Sequence, residues 1–260
     1  LNNPIFFFNA LNLTNSVESI GNLFEKQFIK FTAYALFLER LNIFMNVKSV
    51  NVSTPVEVQY LGKTITTGIF KKPILGSVAI KDNNFIGDGQ ADLISHGGVD
   101  KAIYAFSLDH YAFWEKTLDS PSLPLGTFGE NLTISNFEES NLHIGDHLSI
   151  GSCLLEVSQP RVPCFKLGIA VNNKKMPKLF MKNFETGVYL RVINEGEVEA
   201  GDDVVVAYKD PSKISVKKLF QAYYDKTFDH PLEVFEQALL VPALADEWRR
   251  HISMRLSKKA

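Results

Sequence analysis

From Met45 onward the apolar residues come in short alternating runs, and that spacing limits what the chain can fold into. Val47 to Val52, Val56 to Tyr60, Lys63 to Ile69, Ser77 to Ile80, Ala102 to Phe106, Leu148 to Ile150, Leu154 to Ser158, Thr186 to Ile193 and Val204 to Ala207 each read as a strand. Period-two spacing puts alternate side chains on one face, which suits a half-buried sheet. Leu61-Gly62 supplies a tight hairpin turn between two of these runs. Gly145-Asp146 and Gly201-Asp202 each introduce a strand in the same way, and the repetition points to a closed antiparallel sheet. Helical spacing appears from Leu108 to Leu118 and from Pro177 to Phe184. It dominates after Pro211, over Ser215 to Tyr224, Pro231 to Val241 and Ala243 to Leu256. The expected class is mainly β with helices (α+β): a barrel over 45–208 and a small three-helix unit over 209–260.

Residues 1–44 differ in texture. Val17, Ile20, Phe24, Phe28, Phe31, Ala35 and Leu38 recur at helical spacing, and Ser16 is placed to cap such a helix. Two readings are open: a docking or dimerising helix, or an upstream extension with Met45 as the true start. The apolar run Phe31 to Leu38 is too short to span a bilayer, and no small-residue cleavage site follows a basic start. The net charge of the chain is -2 and no basic block stands out, which argues against a nucleic-acid partner. Two cysteines, Cys153 and Cys164, do not make a disulfide framework, and a reducing, cytoplasmic compartment is expected.

Cys164 sits in the stretch with the most chemistry, Gln159-Pro160-Arg161-Val162-Pro163-Cys164-Phe165-Lys166-Leu167. Pro160 ends the preceding strand because it has no N–H to donate. Pro163 fixes the backbone just before the cysteine, so the loop is stiff and holds the next side chain in one place. A cysteine at a helix start beside Arg161 and Lys166 favours the thiolate, a nucleophile or a ligand for a soft metal. The competing reading is a buried apolar cysteine. Cys153, on the core face of its strand, fits that second reading.

Two glycine-punctuated loops could serve a ligand. His96-Gly97-Gly98-Val99-Asp100-Lys101 would place a histidine and a lysine beside exposed amides, a setting for an anion, or it is a tight turn with surface charges. It lacks both the third glycine of a dinucleotide fingerprint and the ending of a P-loop. Gly126 to Leu132 offers the amide of Asn131, which in such loops also bonds its own backbone. His143 and His147 are four apart, but Gly145 between them breaks any helix, so a metal pair is not expected.

Taken together and in order, Gly89-Gln90-Ala91-Asp92, His96-Gly97-Gly98 with Lys101, Gly129-Glu130-Asn131-Leu132, Gly145-Asp146, Pro160-Arg161-Val162-Pro163-Cys164 and Thr186-Gly187-Val188-Tyr189-Leu190-Arg191 resemble MOSC-domain proteins of the YiiM type. The resemblance covers roughly Met45 to Leu256. Ile94-Ser95 and Phe165, where such proteins often carry tryptophan, depart from the pattern. It implies a β-barrel that binds the molybdenum cofactor, a pterin dithiolene bearing a phosphate. Cys164 is then the protein ligand to molybdenum and the catalytic residue. Arg161, His96, Gly97, Gly98, Lys101, Asn131 and Arg191 become candidates for holding the pterin and phosphate. The implied activity is reduction of N-hydroxylated compounds, such as hydroxylaminopurines, to amines. The alternative is a non-catalytic carrier of the cofactor or of sulfur. No nicotinamide fingerprint is present, so electrons are expected from a separate reductase. Trp248, flanked by Arg249, Arg250 and His251, marks a possible docking surface for it, or the helices merely cover the barrel.

Overall fold

The computed structural model describes residues 44–91 and 97–258. The helix expected near the N-terminus and His96 lie outside them. In chain order the strands are β1 (Asn46–Val52), β2 (Val56–Tyr60), β3 (Lys63–Thr67), β4 (Lys72–Ile74), β5 (Val78–Lys81), β6 (Asn84–Phe85) and β7 (Ile103–Ser107). Helix α1 (Tyr111–Leu118) follows, then β8 (Leu132–Ser135), β9 (His147–Ile150) and β10 (Cys153–Pro160). Helices α2 (Phe165–Ala170) and α3 (Met176–Asn183) precede β11 (Val188–Asn194), β12 (Gly196–Val198) and β13 (Val204–Tyr208). The chain continues through α4 (Val216–Tyr224), α5 (Pro231–Leu239) and α6 (Asp246–Ser257).

An eight-stranded sheet in the order β13-β9-β10-β11-β7-β8-β1-β4 carries the fold, and among its ladders only β7–β8 is parallel. The expected closed barrel is not formed. One edge of β1 pairs with β8, and the second half of its other edge, Val50 to Val52, is taken by β4. Only the start of that second edge is left for β13. It makes one isolated bridge, Asn46 to Asp203, with Val47 N donating to Asp202 O at 2.9 Å and Val204 N to Met45 O at 2.9 Å. The sheet therefore curls until one corner meets, and β4 blocks a continuous seam.

β7 is buried on both faces, the mark of a strand covered from two sides. Ile103 and Ala105 face the main core with Leu132, Leu155, Val157, Val188 and Leu190. Tyr104 and Phe106 face a second cluster with Tyr111, Trp114, Phe128 and Phe180, supplied by α1, α3 and the loop before β8. β10 extends beyond the expected Leu154 to Ser158 at both ends and runs through Pro160, and one further backbone bond follows, from Arg161 N to Gly187 O at 3.1 Å. The missing proline N–H stops nothing on the next residue.

The C-terminal helices do not sit on the sheet as a separate cover. Leu219, Phe220, Phe235, Trp248 and Ile252 belong to the same core cluster as the strands. α4 begins where a side chain can cap it, Ser215 Oγ accepting from Lys218 N at 3.2 Å. Trp248, expected on a docking surface, is 1% exposed and packs against Phe220, Tyr223 and Tyr224. Its charged neighbours have partners of their own: Arg249 donates to Leu239 O and Val241 O, both at 2.7 Å, at the end of α5. Trp248→Ala is expected to destabilise the fold by about 3–5 kcal/mol, the usual cost of emptying a large aromatic site. Urea unfolding followed by fluorescence measures it; a loss under about 1 kcal/mol would show that the helices are not part of the core.

A buried ionic link fixes the approach to β11. His110 Nε2 lies 3.0 Å from Glu139 Oε2, and its Nδ1 lies 3.3 Å from Glu185. Glu139 Oε1 also accepts from Gly187 N at 3.0 Å. Burial alone would lower the His110 pKa, but the hydrogen bond and charge of Glu139, with Glu185 and Glu138, overcome it and raise it. The folded state thus prefers protonated His110. Its contribution is complete below the ordinary histidine value of about 6.5 and is lost as pH rises through the raised folded value. Urea midpoints should fall across that window in the parent and be flatter in His110→Gln; equal slopes would contradict the link.

Candidate active site

The strand β10 delivers the chain to the site, and the loop behind it is held tightly. Tyr104 on β7 donates its hydroxyl to Thr186 O at 2.9 Å. Gly187 follows with φ of 81°, and a Cβ there would lie 2.5 Å from the Tyr104 ring and 2.6 Å from Ala105 O. Only glycine allows β11 to begin so close to β7. This places Tyr104 and Tyr189 side by side, ring centroids 5.4 Å apart.

Arg161 lies against both. It is 5% exposed; its guanidinium carbon sits 4.5 Å from the Tyr104 ring centre and 5.5 Å from that of Phe180. Its Nη1 donates to the Tyr104 hydroxyl at 3.2 Å. Among the described residues no carboxylate pairs with it. Burial works to lower its pKa, but the Tyr104 and Tyr189 oxygens and the Cys164 sulfur outweigh that and raise it, so it stays charged. Burial pushes both phenols up, so both stay protonated, and the Tyr104 proton is given to Thr186 O. Buried cations are normally paired. This one faces two phenols, a thiol and open space.

The open space is a cleft of about 690 Å³ when the part open to solvent is counted. One wall carries Arg161, Val162, Cys164 and Lys166. The other carries Thr67, Gly68, Ile69, Asp88, Gly89 and Gln90, and Lys101, Tyr104, Asn131 and Tyr189 lie between. Cys164 is half-buried, with extended backbone, directly before α2. α2 is only six residues long, so its dipole adds little, and the Arg161 guanidinium interacts electrostatically with the Cys164 sulfur. Cys153 is 2% exposed in the main core, and burial raises its thiol to about 11.

The other sequence candidates fall in different places. Lys101 lines the cleft and pairs with Glu247 of α6 at 2.5 Å. Asn131 lines it too, but its amide is used by the fold: Oδ1 accepts from Tyr104 N at 3.1 Å, and Nδ2 donates to Asp88 at 2.9 Å. Gly97 and Gly98 precede a short turn, Val99–Lys101, and are not among the lining residues. Arg191 is not a lining residue either. It joins Asp100, at 2.5 Å, to Glu156 and reaches Ala243 O at 3.3 Å, bracing the sheet against the loop before α6.

Sequence reasoning missed Tyr104, Tyr189, Lys71 and Asp88. Lys71 Nζ lies 2.5 Å from Asp88 Oδ1 in the wall of the cleft, and burial lowers its pKa against the pull of Asp88 and Glu130. Period-two spacing along β11 puts Tyr189 on the face opposite Val188 and Leu190, which is the available signal for it. Nothing local marks the other three. Among the described residues no three His, Cys, Asp or Glu side chains gather to hold a metal ion. The cleft offers one thiol and a cluster of cations.

Comparison with known proteins gives the family of the chain. The MOSC domain family matches residues 92–205, and the YiiM-like, 3-alpha helix domain matches residues 214–259. The uncharacterized protein YflK of Bacillus subtilis (strain 168) is 39% identical over 78% of this chain and 91% of its own length. A protein named "Reductase" from Gibberella moniliformis is 34% identical over 60% of this chain and 28% of its own length. The crystal structure of YiiM from Geobacillus stearothermophilus superposes with a TM-score of 0.68 at 30% identity, covering 82% of this chain and 99% of that one. With a single thiol and an unpaired buried arginine in one cleft, and a three-helix unit sharing the core, this chain belongs to the MOSC domain family in its YiiM-like form.

Proposed function

We propose that the protein is a molybdenum-cofactor-dependent oxidoreductase that reduces N-hydroxylated compounds, such as hydroxylaminopurines, to amines. The observation that carries the reading is Arg161: a buried guanidinium with no carboxylate, facing the same cleft as Cys164. Such a charge calls for an anionic ligand. The donor set suits a metal that brings its own ligands, since one thiol cannot hold a bare cation but can complete a sulfur-rich sphere. The fungal relative named "Reductase" supports a redox role.

When bound, the cofactor supplies a redox-active metal for the net change R–NHOH + 2 electrons + 2 protons to R–NH2 + H2O. The chain holds and shields. Cys164, fixed between Pro163 and α2, presents its sulfur to the metal. Arg161 would attract a ligand's negative charge in the cleft, its guanidinium held by the bond it donates to the Tyr104 hydroxyl, with Tyr189 alongside. Lys101 and Lys166 add charge at the wall for a phosphate. Electrons would come from a separate reductase, since the residues of this sequence carry no dinucleotide fingerprint of their own.

The tests separate binding from folding. Cys164→Ser is expected to lose most molybdenum when purified from a cofactor-producing host, with an unchanged melting temperature; Cys153→Ser should chiefly lose stability. Arg161→Met should also lose cofactor, yet cost the cofactor-free fold less than about 1 kcal/mol or stabilise it, since it removes an unpaired buried charge. Equal molybdenum content in parent and Cys164→Ser would refute the assignment. Loaded protein should turn over hydroxylaminopurine only when a reductase or a chemical reductant is added. Turnover on NADH alone would refute the need for a partner, and bound cofactor without any turnover would favour a carrier.

A further inference from the structure

From Pro160 to Phe184 the chain carries six basic residues, Arg161, Lys166, Lys174, Lys175, Lys178 and Lys182, and no acidic one, although the whole sequence has 27 basic and 29 acidic side chains. Only Lys174 and Lys175 are adjacent, so no block forms in the sequence; the fold collects them. Lys175, Lys178 and Lys182 are three and four apart along α3 and share one exposed face, with exposed Lys174 beside them. Met176 and Phe180, on the opposite face, are fully buried in the aromatic cluster. The Phe180 ring centre is 5.5 Å from the Arg161 guanidinium carbon, so the lysines lie on the outside of a helix whose inside supports the cleft. A Cβ on Gly168 of α2 would lie 2.9 Å from Asn173 O and 3.5 Å from Lys174 Cα, so the turn before α3 packs directly on α2. α2 opens with Phe165, 45% exposed, and Lys166, which lines the cleft. Tyr60 stacks on Phe165, centroids 5.7 Å apart, and brings the tip of the β2–β3 hairpin, with exposed Leu61 and Lys63, to the same end of α2.

These lysines are placed against the interest of the fold. Lys178 and Lys182 are like charges one helical turn apart. Lys174, Lys175 and Lys178 crowd the N-terminal end of α3, where the helix dipole is already positive, and no acidic residue lies in that first turn. Among the described residues none of Lys174, Lys175, Lys178 and Lys182 forms an ion pair. A surface of one sign that the fold neither pairs nor favours suits a partner of the opposite sign. Phe165 and Leu61 add exposed apolar area of the kind an interface buries at its centre. The surface begins one residue after Cys164.

We infer that the outer face of α2 and α3, with the tip of the hairpin, is the docking surface for an acidic electron-carrier protein. The inference rests on the reductase reading and adds to it where the electrons enter and the charge of the protein that brings them. Two encounters with a reduced one-electron carrier supply the two electrons of the net reduction, and each carrier leaves oxidised. Two protons come from solvent, the N–O bond breaks, and its oxygen leaves as water.

The test uses the molybdenum-loaded full chain and a plant-type [2Fe–2S] ferredoxin as the acidic carrier, with binding measured by titration calorimetry at low and high salt. Lys175→Glu, Lys178→Glu and Lys182→Glu combined should weaken ferredoxin binding about tenfold, and binding by the parent should weaken as salt rises. Because the new carboxylates near the start of α3 suit its dipole, this variant should fold as stably as the parent. Lys213→Glu, Lys218→Glu and Lys226→Glu combined make the same charge change on exposed lysines of the C-terminal unit and should keep the affinity within about twofold. With reduced ferredoxin as donor, kcat/KM for the carrier should fall about tenfold in the first variant, while turnover on dithionite is unchanged. No ferredoxin binding by the parent, equal binding by parent and first variant, or an equal loss in the second variant would overturn the inference. So would binding of phosphatidylserine vesicles in place of ferredoxin, lost in the first variant, which would mark a membrane surface. If dithionite drives no turnover in the loaded parent, the reductase reading fails, while the calorimetry still decides whether the surface receives an acidic carrier.

Discussion

The site depends on one charge kept out of water. Arg161 is buried against two aromatic rings, and the fold spends no carboxylate on it. A charge in that position weakens the empty fold and strengthens attraction for an anion. Everything around it serves to keep it there. β10 carries it to the end of the sheet, Gly187 lets β11 close behind it, and the Glu139 carboxylate holds Gly187 by its N–H. His110 in turn neutralises Glu139, so the bracing of the site runs back through an ionic link to the start of α1.

β7 connects this arrangement to the whole molecule. Its alternate residues are shared between two cores, and its partner strands differ in direction, antiparallel to β11 and parallel to β8. Tyr104 therefore cannot move without disturbing either the aromatic cluster or the sheet. Glu130 gives the loop before β8 similar rigidity. Its buried carboxylate accepts from the Tyr111 hydroxyl, from Gly126 N at 2.9 Å, from Phe128 N at 3.1 Å and from Thr133 Oγ1 at 2.9 Å. The next residue, Asn131, links this loop to Asp88 and Lys71 across the cleft. Polar groups that looked like ligand donors are thus partly consumed in shaping the cleft. A buried amide left without partners would cost more than its use in binding could return.

Against this rigid floor the β2–β3 hairpin is held lightly. Its outer face is solvated, its inner face only half-buried. The central sheet and the hairpin differ because the hairpin buries less of its surface, and local opening follows the weaker element.

The sequence by itself determined most of the elements and the position of the loop that carries Arg161 and Cys164. Alternation located the strands because a pleated sheet buries every second side chain. Prolines on both sides of Arg161 and Val162 marked a stiff loop because their φ is fixed. The cysteine after that loop was legible for the same reason. Tertiary structure decided what period and local composition do not encode. Sheet closure depended on which strand captured the second edge of β1, and β4 took it. Arg191 and Arg161 look alike in sequence, yet one is saturated by Asp100 and Glu156 while the other has no carboxylate partner. Trp248 seemed to belong with its charged neighbours and instead fills the core. In each case the outcome rests on contacts between residues far apart in the chain, and a pair of distant side chains has no signature in either one's local sequence.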